Sequence, residues 1–141
     1  MALTVNKVDI WSVSIEDRAG GTAAKIAPVS AAGASFEFVF ARRTPESPGK
    51  GLVLVAPLKG AKAVRAAGEA GFVKAPGVFG LRIEGTDKAG MGAQILNALS
   101  DAGISFRGLS AIAIGRKFVT YLALDSAEDV AKASSLLRKL G

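Results

Sequence analysis

The chain has 141 residues, half of them hydrophobic, and a formal net charge of +6, so it is long enough to bury a hydrophobic core. It contains neither cysteine nor histidine, which excludes disulfides and thiolate nucleophiles and removes the commonest general base and metal ligand near neutral pH. No apolar run approaches the roughly 18 to 20 residues of a membrane span, and residues 1–9 lack a signal-peptide core. We therefore expect a cytoplasmic protein.

The first half of the chain alternates between strand and helix periodicity. At 8–15, Trp11, Val13 and Ile15 alternate with polar residues, and this period of two predicts a strand. The remaining elements predicted here are a helix between Asp17 and Gly33, strands at 36–40 and 52–55, a helix at 60–70 and a short strand at 72–74. Pro28 falls inside the first helix and is expected to kink it, because an interior proline removes a backbone hydrogen bond.

The second half repeats this order. Its predicted elements are a strand at 78–84, a helix between Asp87 and Gly103, strands at 106–114 and 118–124, and a helix at 127–140. The segment Asp17-Arg18-Ala19-Gly20-Gly21 returns as Asp87-Lys88-Ala89-Gly90-Met91 about 70 residues later, and the same shift carries Ala32-Gly33 onto Ala102-Gly103. The chain is therefore a duplication, with a longer loop at 42–50 in its first copy.

The order of elements in each copy predicts the fold class. Strand, helix, strand, strand and helix form a split βαβ arrangement, an antiparallel sheet covered by two helices on one face. We expect an α+β protein of two ferredoxin-like βαββαβ units in tandem, at 6–75 and 76–141. The second copy has no fourth strand of its own. Either an N-terminal strand at 2–5 completes it, or this segment is a frayed terminus.

Two repeated motifs resemble those of the ACT domain. Ile-Glu-Asp-Arg-Ala-Gly-Gly at 15–21 and Glu-Gly-Thr-Asp-Lys-Ala-Gly at 84–90 are similar to the turn after the first strand of that family. Ala-Gly-Ala-Ser at 32–35 and Ala-Gly-Ile-Ser at 102–105 are similar to its helix exit. The resemblance covers nearly the whole chain. It departs from the family pattern at Ala19 and Ala89, where proline is common, and at Ser35 and Ser105, where asparagine is common.

The resemblance implies a regulatory protein without a cofactor that binds a small molecule, usually an amino acid, at interfaces between paired ACT units. It also implies a homodimer or higher homo-oligomer and a possible partner enzyme. A role in structure or partner docking without any ligand is the alternative.

The predicted site lies at the two turns. Asp17 and Asp87 are expected to cap the following helices, leaving first-turn amides that bind a ligand carboxylate. Serine hydroxyls at the helix exits, or a neighbouring carbonyl, are expected to accept from the ligand ammonium. The predicted ligand-binding residues are Asp17, Gly20, Gly21, Ser35, Asp87, Gly90, Met91 and Ser105. The alternative interpretation is a tight strand-to-helix turn that binds nothing.

Other functional classes find less support in the sequence. Basic loops and a split βαβ sheet are compatible with RNA binding. However, the aromatic residues are predicted to face the helices rather than the outer sheet face: Phe36, Phe38, Phe40 and Phe106. Val39 and Leu109 are predicted to face outward. The sequence offers no catalytic triad, phosphate loop or carboxylate pair at metal spacing, so we expect neither an enzyme nor a metal site.

Overall fold

The computed structural model describes residues 3–140. Ala2, at the start of the predicted N-terminal strand, lies outside this range, as do Met1 and Gly141. The described residues form eight strands and four helices in the order β1 (Thr4–Val8), β2 (Trp11–Glu16), α1 (Gly21–Ala31), β3 (Phe38–Arg43), β4 (Lys50–Ala56), α2 (Ala61–Ala70), β5 (Val73–Lys74), β6 (Phe79–Thr86), α3 (Met91–Asp101), β7 (Gly108–Ile114), β8 (Lys117–Leu124) and α4 (Ala127–Leu137). No helix within 3–140 is long and apolar enough to cross a membrane.

The first compact unit is Asp9–Pro76. Its strands form an antiparallel sheet in the order β3-β4-β2-β5, and α1 and α2 pack against the same core. The alternating residues of β2 and β4 supply the centre of that core, where Val53 and Val55 are fully buried against Val13, Val29 and Phe72. Trp11 packs at its margin.

The second unit combines residues 3–8 with residues 77–140. Its sheet has the order β1-β6-β8-β7, and β1 pairs antiparallel with β6, placing Val5 opposite Ile83. Leu3 and Val5 join a core centred on Leu81, Ile83 and Leu122. Each unit therefore has the ferredoxin-like arrangement of four antiparallel strands and two helices, which confirms the predicted fold class.

The repeated Ala-Gly pairs end the first helix of each unit. Gly33 and Gly103 have φ values of 100° and 72°, a region that glycine adopts without a Cβ penalty. The amide of Ile104 donates to the carbonyl oxygen of Leu99 at 2.9 Å, and Ala34 donates to Val29 at 3.2 Å. These bonds are the six-to-one bonds of a Schellman motif. Helix α1 continues through Pro28 to this exit.

The predicted orientation of the β3 aromatics is wrong. The chain bends at Glu37, and β3 begins only at Phe38. In the observed register Phe40 lies opposite Leu54, whereas Val39 lies opposite the buried Val55. Because opposite residues on paired strands share a face, Val39 faces the helices and Phe40 faces away from them. The prediction extended the alternation from Phe36 into β3, but the bend at Glu37 shifts it by one residue.

The second unit shows the same shift of phase. The chain bends at Arg107 and β7 begins at Gly108. Leu109 lies opposite the buried Leu122 and so faces the helices, against the prediction. Phe106 lies before the strand and is 41% exposed, outside the core to which the sequence assigned it.

Candidate functional site

Both repeated turns are anchored to the neighbouring hairpin loop in the same way. The amide of Asp17 donates to the carbonyl oxygen of Gly49 at 3.0 Å, and the amide of Asp87 donates to that of Arg116 at 2.7 Å. The strand-to-helix turn is therefore tied to the β3–β4 loop in the first unit and to the β7–β8 loop in the second. The duplication preserves this backbone arrangement.

Each turn ends in a left-handed glycine immediately before the helix. Gly20 has φ of 85° and Gly90 has φ of 89°. The amides of the next residues, Gly21 and Met91, donate to the carbonyl oxygens three residues earlier at 3.0 and 3.2 Å. These two amides are therefore engaged by the turn itself, contrary to the prediction that they are open.

The predicted aspartate caps are also absent. Gly20 and Gly90 hold the N-cap positions, with no side-chain hydrogen bond to either helix. Three residues separate each aspartate from the first helical residue, so its carboxylate does not lie at the cap. Asp17 instead accepts from Nε of Arg43 at 2.9 Å. Asp87 has no hydrogen bond or ion pair through its carboxylate within the described part of the chain.

The open amides are those of the second and third helical residues. An α-helix provides no internal acceptor for its first N–H groups. The amides of Gly92 and Ala93 in α3 therefore have no acceptor within the helix, and they donate to no other group among residues 3–140. The helix dipole adds positive potential at this end. These groups form the accessible polar end of α3, and the turn that carries the unpaired Asp87 leads directly into it.

The equivalent end of α1 differs. Thr22 stands where the second unit has Gly92, and its side chain is half-buried. The carboxylate of Asp17 is already engaged in an ion pair with Arg43. At Gly92, by contrast, an added Cβ would meet nothing within 4 Å. The second turn is therefore the more open of the two.

The two predicted serines lie at the other ends of their helices. Ser105 follows the C-terminus of α3, an eleven-residue helix, and is thus about 16 Å along the helix from Gly90. Ser35 is related to Gly20 in the same way through α1. Both serines are exposed. Within one unit the structure brings Asp87, Gly90 and Met91 together but does not bring Ser105 to them.

Comparison with known proteins bears on the fold. No family model and no curated protein matches the sequence. Among solved structures, protein BT0572 from Bacteroides thetaiotaomicron is similar over 96% of this chain and 99% of its own, with 14% identity and a TM-score of 0.70. The regulatory subunit of aspartate kinase from Thermus thermophilus, in its ligand-free form, is similar over 97% of both chains, with 13% identity and a TM-score of 0.61.

A third structure, of aspartokinase alpha and beta subunits, is similar over 99% of this chain and 96% of its own, with 14% identity and a TM-score of 0.63. This chain shares the fold of these structures. The resemblance seen in the repeated motifs is thereby confirmed for the fold.

In both units, the basic hairpin ends are largely engaged in local contacts. Lys50 bonds to the carboxylate of Glu16 at 2.9 Å, and this hydrogen bond, with the lysine charge, lowers the pKa of Glu16. Glu84 accepts from Arg82 at 2.8 Å and from Lys117 at 3.3 Å. Both hydrogen bonds lower the pKa of Glu84, and the bond from Arg82 has the larger effect.

Sequence reasoning missed Gly92. The repeat aligns Gly92 with Thr22, so the sequence does show that the second helix start lacks a side chain at this position. It does not show that the turn uses the amide of Met91 and leaves that of Gly92 open. The described residues contain no group of three or more acidic side chains that could hold a metal ion.

Proposed function

We propose that this protein is a regulatory domain pair that binds a free amino acid and passes the effect of binding to a partner enzyme. The observation that carries the proposal is the likeness in fold, over 97% of both chains, to a regulatory subunit of aspartate kinase. A likeness over the full length suits a chain whose role is regulatory rather than catalytic. We also propose that it acts as a homo-oligomer.

The chemistry of the α3 start supports an amino acid as the ligand. A free amino acid carries a carboxylate and an ammonium close together. The amides of Gly92 and Ala93 suit the carboxylate, because helix N-termini favour anions. The carboxylate of Asp87, which has no partner within residues 3–140, suits the ammonium. Asp87 thus takes the role of acceptor in place of the predicted role of helix cap.

A thermal-shift screen of the twenty amino acids tests the ligand class. A ligand present at 100 times its Kd stabilises the folded state by roughly 2.7 kcal/mol, so a true ligand is expected to raise the melting temperature by several degrees. The Kd then follows from calorimetry. If no amino acid shifts the melting temperature at millimolar concentration, the proposed ligand class is wrong.

Gly92→Leu tests the location of the site. A side chain here has open space and normal helical geometry, so the fold is expected to persist while the approach to the amides is blocked. Gly90 is a poorer choice because its positive φ makes any substitution strain the turn. Gly68→Leu, at an exposed and equally open glycine of α2, is the matched control. We expect Gly92→Leu to abolish binding and Gly68→Leu to preserve it; unchanged affinity in Gly92→Leu would place the site elsewhere.

A further inference from the structure

An open groove lies between the edge strand β1 and helix α4 in the second unit. Its volume is about 560 Å³. Its lining includes Asn6 and Lys7 from the strand and Ser134, Ser135, Arg138 and Lys139 from the end of the helix and just beyond it. Among residues 3–140, no acidic side chain lines it. The groove is formed by different elements from the α3 start.

The basic side chains of the groove have no acidic partner within the described part of the chain. Lys7 and Lys139 make no ion pair within the described part of the chain. Arg138 and Lys139 are explained by the helix dipole, since cations are favourable at a helix C-terminus. Lys7 is not, because it comes from the strand. It lies opposite the buried Leu81 and therefore on the face that the helices cover. Three like charges therefore line one groove, and a bound anion would relieve their repulsion.

Arg138 is held in place for such a role. Its Nη2 donates to the carbonyl oxygen of Val5 at 2.8 Å. This bond uses one of the five guanidinium N–H groups and leaves the others for a ligand. A side chain that is fixed before binding loses less entropy when the ligand arrives.

The helix side of the groove has room and hydrogen-bond donors. Ser134 and Ser135 present short side chains where a longer residue would fill the space. Ser135 is exposed, so its hydroxyl is free to turn toward a ligand. Hydroxyl and guanidinium donors together match the oxygens of a phosphate group, which arginine recognises through paired hydrogen bonds.

We propose that this groove binds a phosphate-bearing small molecule. Three cations without an acidic neighbour suit a multiply charged anion better than a single carboxylate. The volume lies within the range of about 300 to 1,000 Å³ that small-molecule sites occupy, which leaves room for more than a bare phosphate. The proposal is independent of the amino-acid site.

Calorimetric titration with inorganic pyrophosphate at about 0.15 M salt tests the groove. We expect Lys7→Gln and Lys139→Gln each to weaken binding about tenfold, the effect of losing one charge-assisted hydrogen bond. Both lysines are exposed, so both variants are expected to fold. The control is the double variant Lys59→Gln/Lys62→Gln in the first unit. It removes as much charge as the two groove substitutions do together, and it is expected to bind like the parent.

A steric variant separates the groove from charge alone. Ser135→Leu fills the groove without altering charge and is expected to reduce affinity at least tenfold, whereas Ser100→Leu, at an exposed serine of α3, is expected to leave it unchanged. Equal losses in the groove variants and their controls would reveal non-specific attraction to a basic protein and overturn the proposal. Failure of the parent to bind millimolar pyrophosphate would also overturn it.

Discussion

Gly21 marks the closest backbone approach at the first turn. A Cβ at this position would overlap the carbonyl oxygen of Glu16, a backbone atom that cannot move as a flexible side chain can. Gly21→Ala is therefore expected to lower the free energy of unfolding by roughly 1 to 3 kcal/mol, the usual cost of overpacking. Urea denaturation measures this through the transition midpoint.

Gly68→Ala is the control for this substitution. Its added Cβ would meet nothing within 4 Å, and alanine is favoured over glycine in a helix interior by about 1 kcal/mol. We expect a slightly raised midpoint. If Gly21→Ala were equally benign, the first turn would be looser than the structure describes.

The repeat in the sequence predicted the two strand-to-helix turns, but it did not predict which groups hydrogen-bond within them. Asp17 and Asp87 occupy equivalent positions, yet one pairs with Arg43 and the other has no partner among the described residues. Arg43 reaches Asp17 from β3, and the sequence does not reveal that distance. Likewise, Gly21 requires glycine while its counterpart Met91 is buried in a core. Such differences depend on neighbours that are remote in the chain.

At the level of elements, the sequence predicted what is local. Periodicity gave the order of strands and helices, and glycine gave the helix exits, because both depend on residues a few positions apart. The faces of β3 and β7 could not be predicted in this way. Phe36 and Phe38 look alike in an alternating pattern, but the bend at Glu37 separates them, and alternation holds only within one continuous strand.

Strand β1 provides a test at the same level. Leu3 and Val5 are buried and β1 covers the edge of β6. Deleting residues 1–5 removes these side chains, each worth roughly 1.5 to 3 kcal/mol of burial, and exposes a strand edge that pairs readily with other chains. We expect the melting temperature to fall by at least about 5 °C and aggregation to increase.

Hydrogen exchange in the intact protein checks the same pairing without a deletion. β1 is an edge strand whose only partner in the sheet is β6, so alternate amides of residues 4–8 bond to β6. Those alternate amides are expected to exchange more slowly than the amides of an unstructured peptide. Exchange at the unstructured rate throughout this segment would contradict the role given to β1.

For the whole molecule, the net charge of +6 raises the question of nucleic acid. RNA-binding sheets stack bases on aromatic side chains. The central strands of the first unit instead turn Ser12, Ser14, Leu52 and Leu54 away from the helices, and Tyr121 of the second unit is only 6% exposed. Phe38 and Phe40 lie on an edge strand. Phe79 on β6 is exposed but lies opposite Leu124, on the helix-covered face. Among the described residues, the central strands therefore carry no exposed aromatic side chain on the faces turned away from the helices.

We expect only weak binding to random RNA or DNA, in the range of about 10⁻⁴ to 10⁻⁶ M, decreasing with salt as counterion release requires. Fluorescence anisotropy at several salt concentrations measures it. Submicromolar, sequence-dependent binding at about 0.15 M salt would show that the molecule recognises nucleic acid after all.

The position of β1 also affects how the protein is made. Its partner β6 begins more than 70 residues after β1 ends, and the whole first unit lies between them. A ribosome adding roughly 5 to 20 residues per second completes the first unit, with its own core, while Leu3 and Val5 still have no sheet to join. Strand β1 thus emerges well before the sheet that it joins, and the second unit closes only after a long-range encounter of the kind that slows folding. In the interval the nascent chain carries β1 unpaired, with Leu3 and Val5 uncovered, and this is the surface that a chaperone would need to shield.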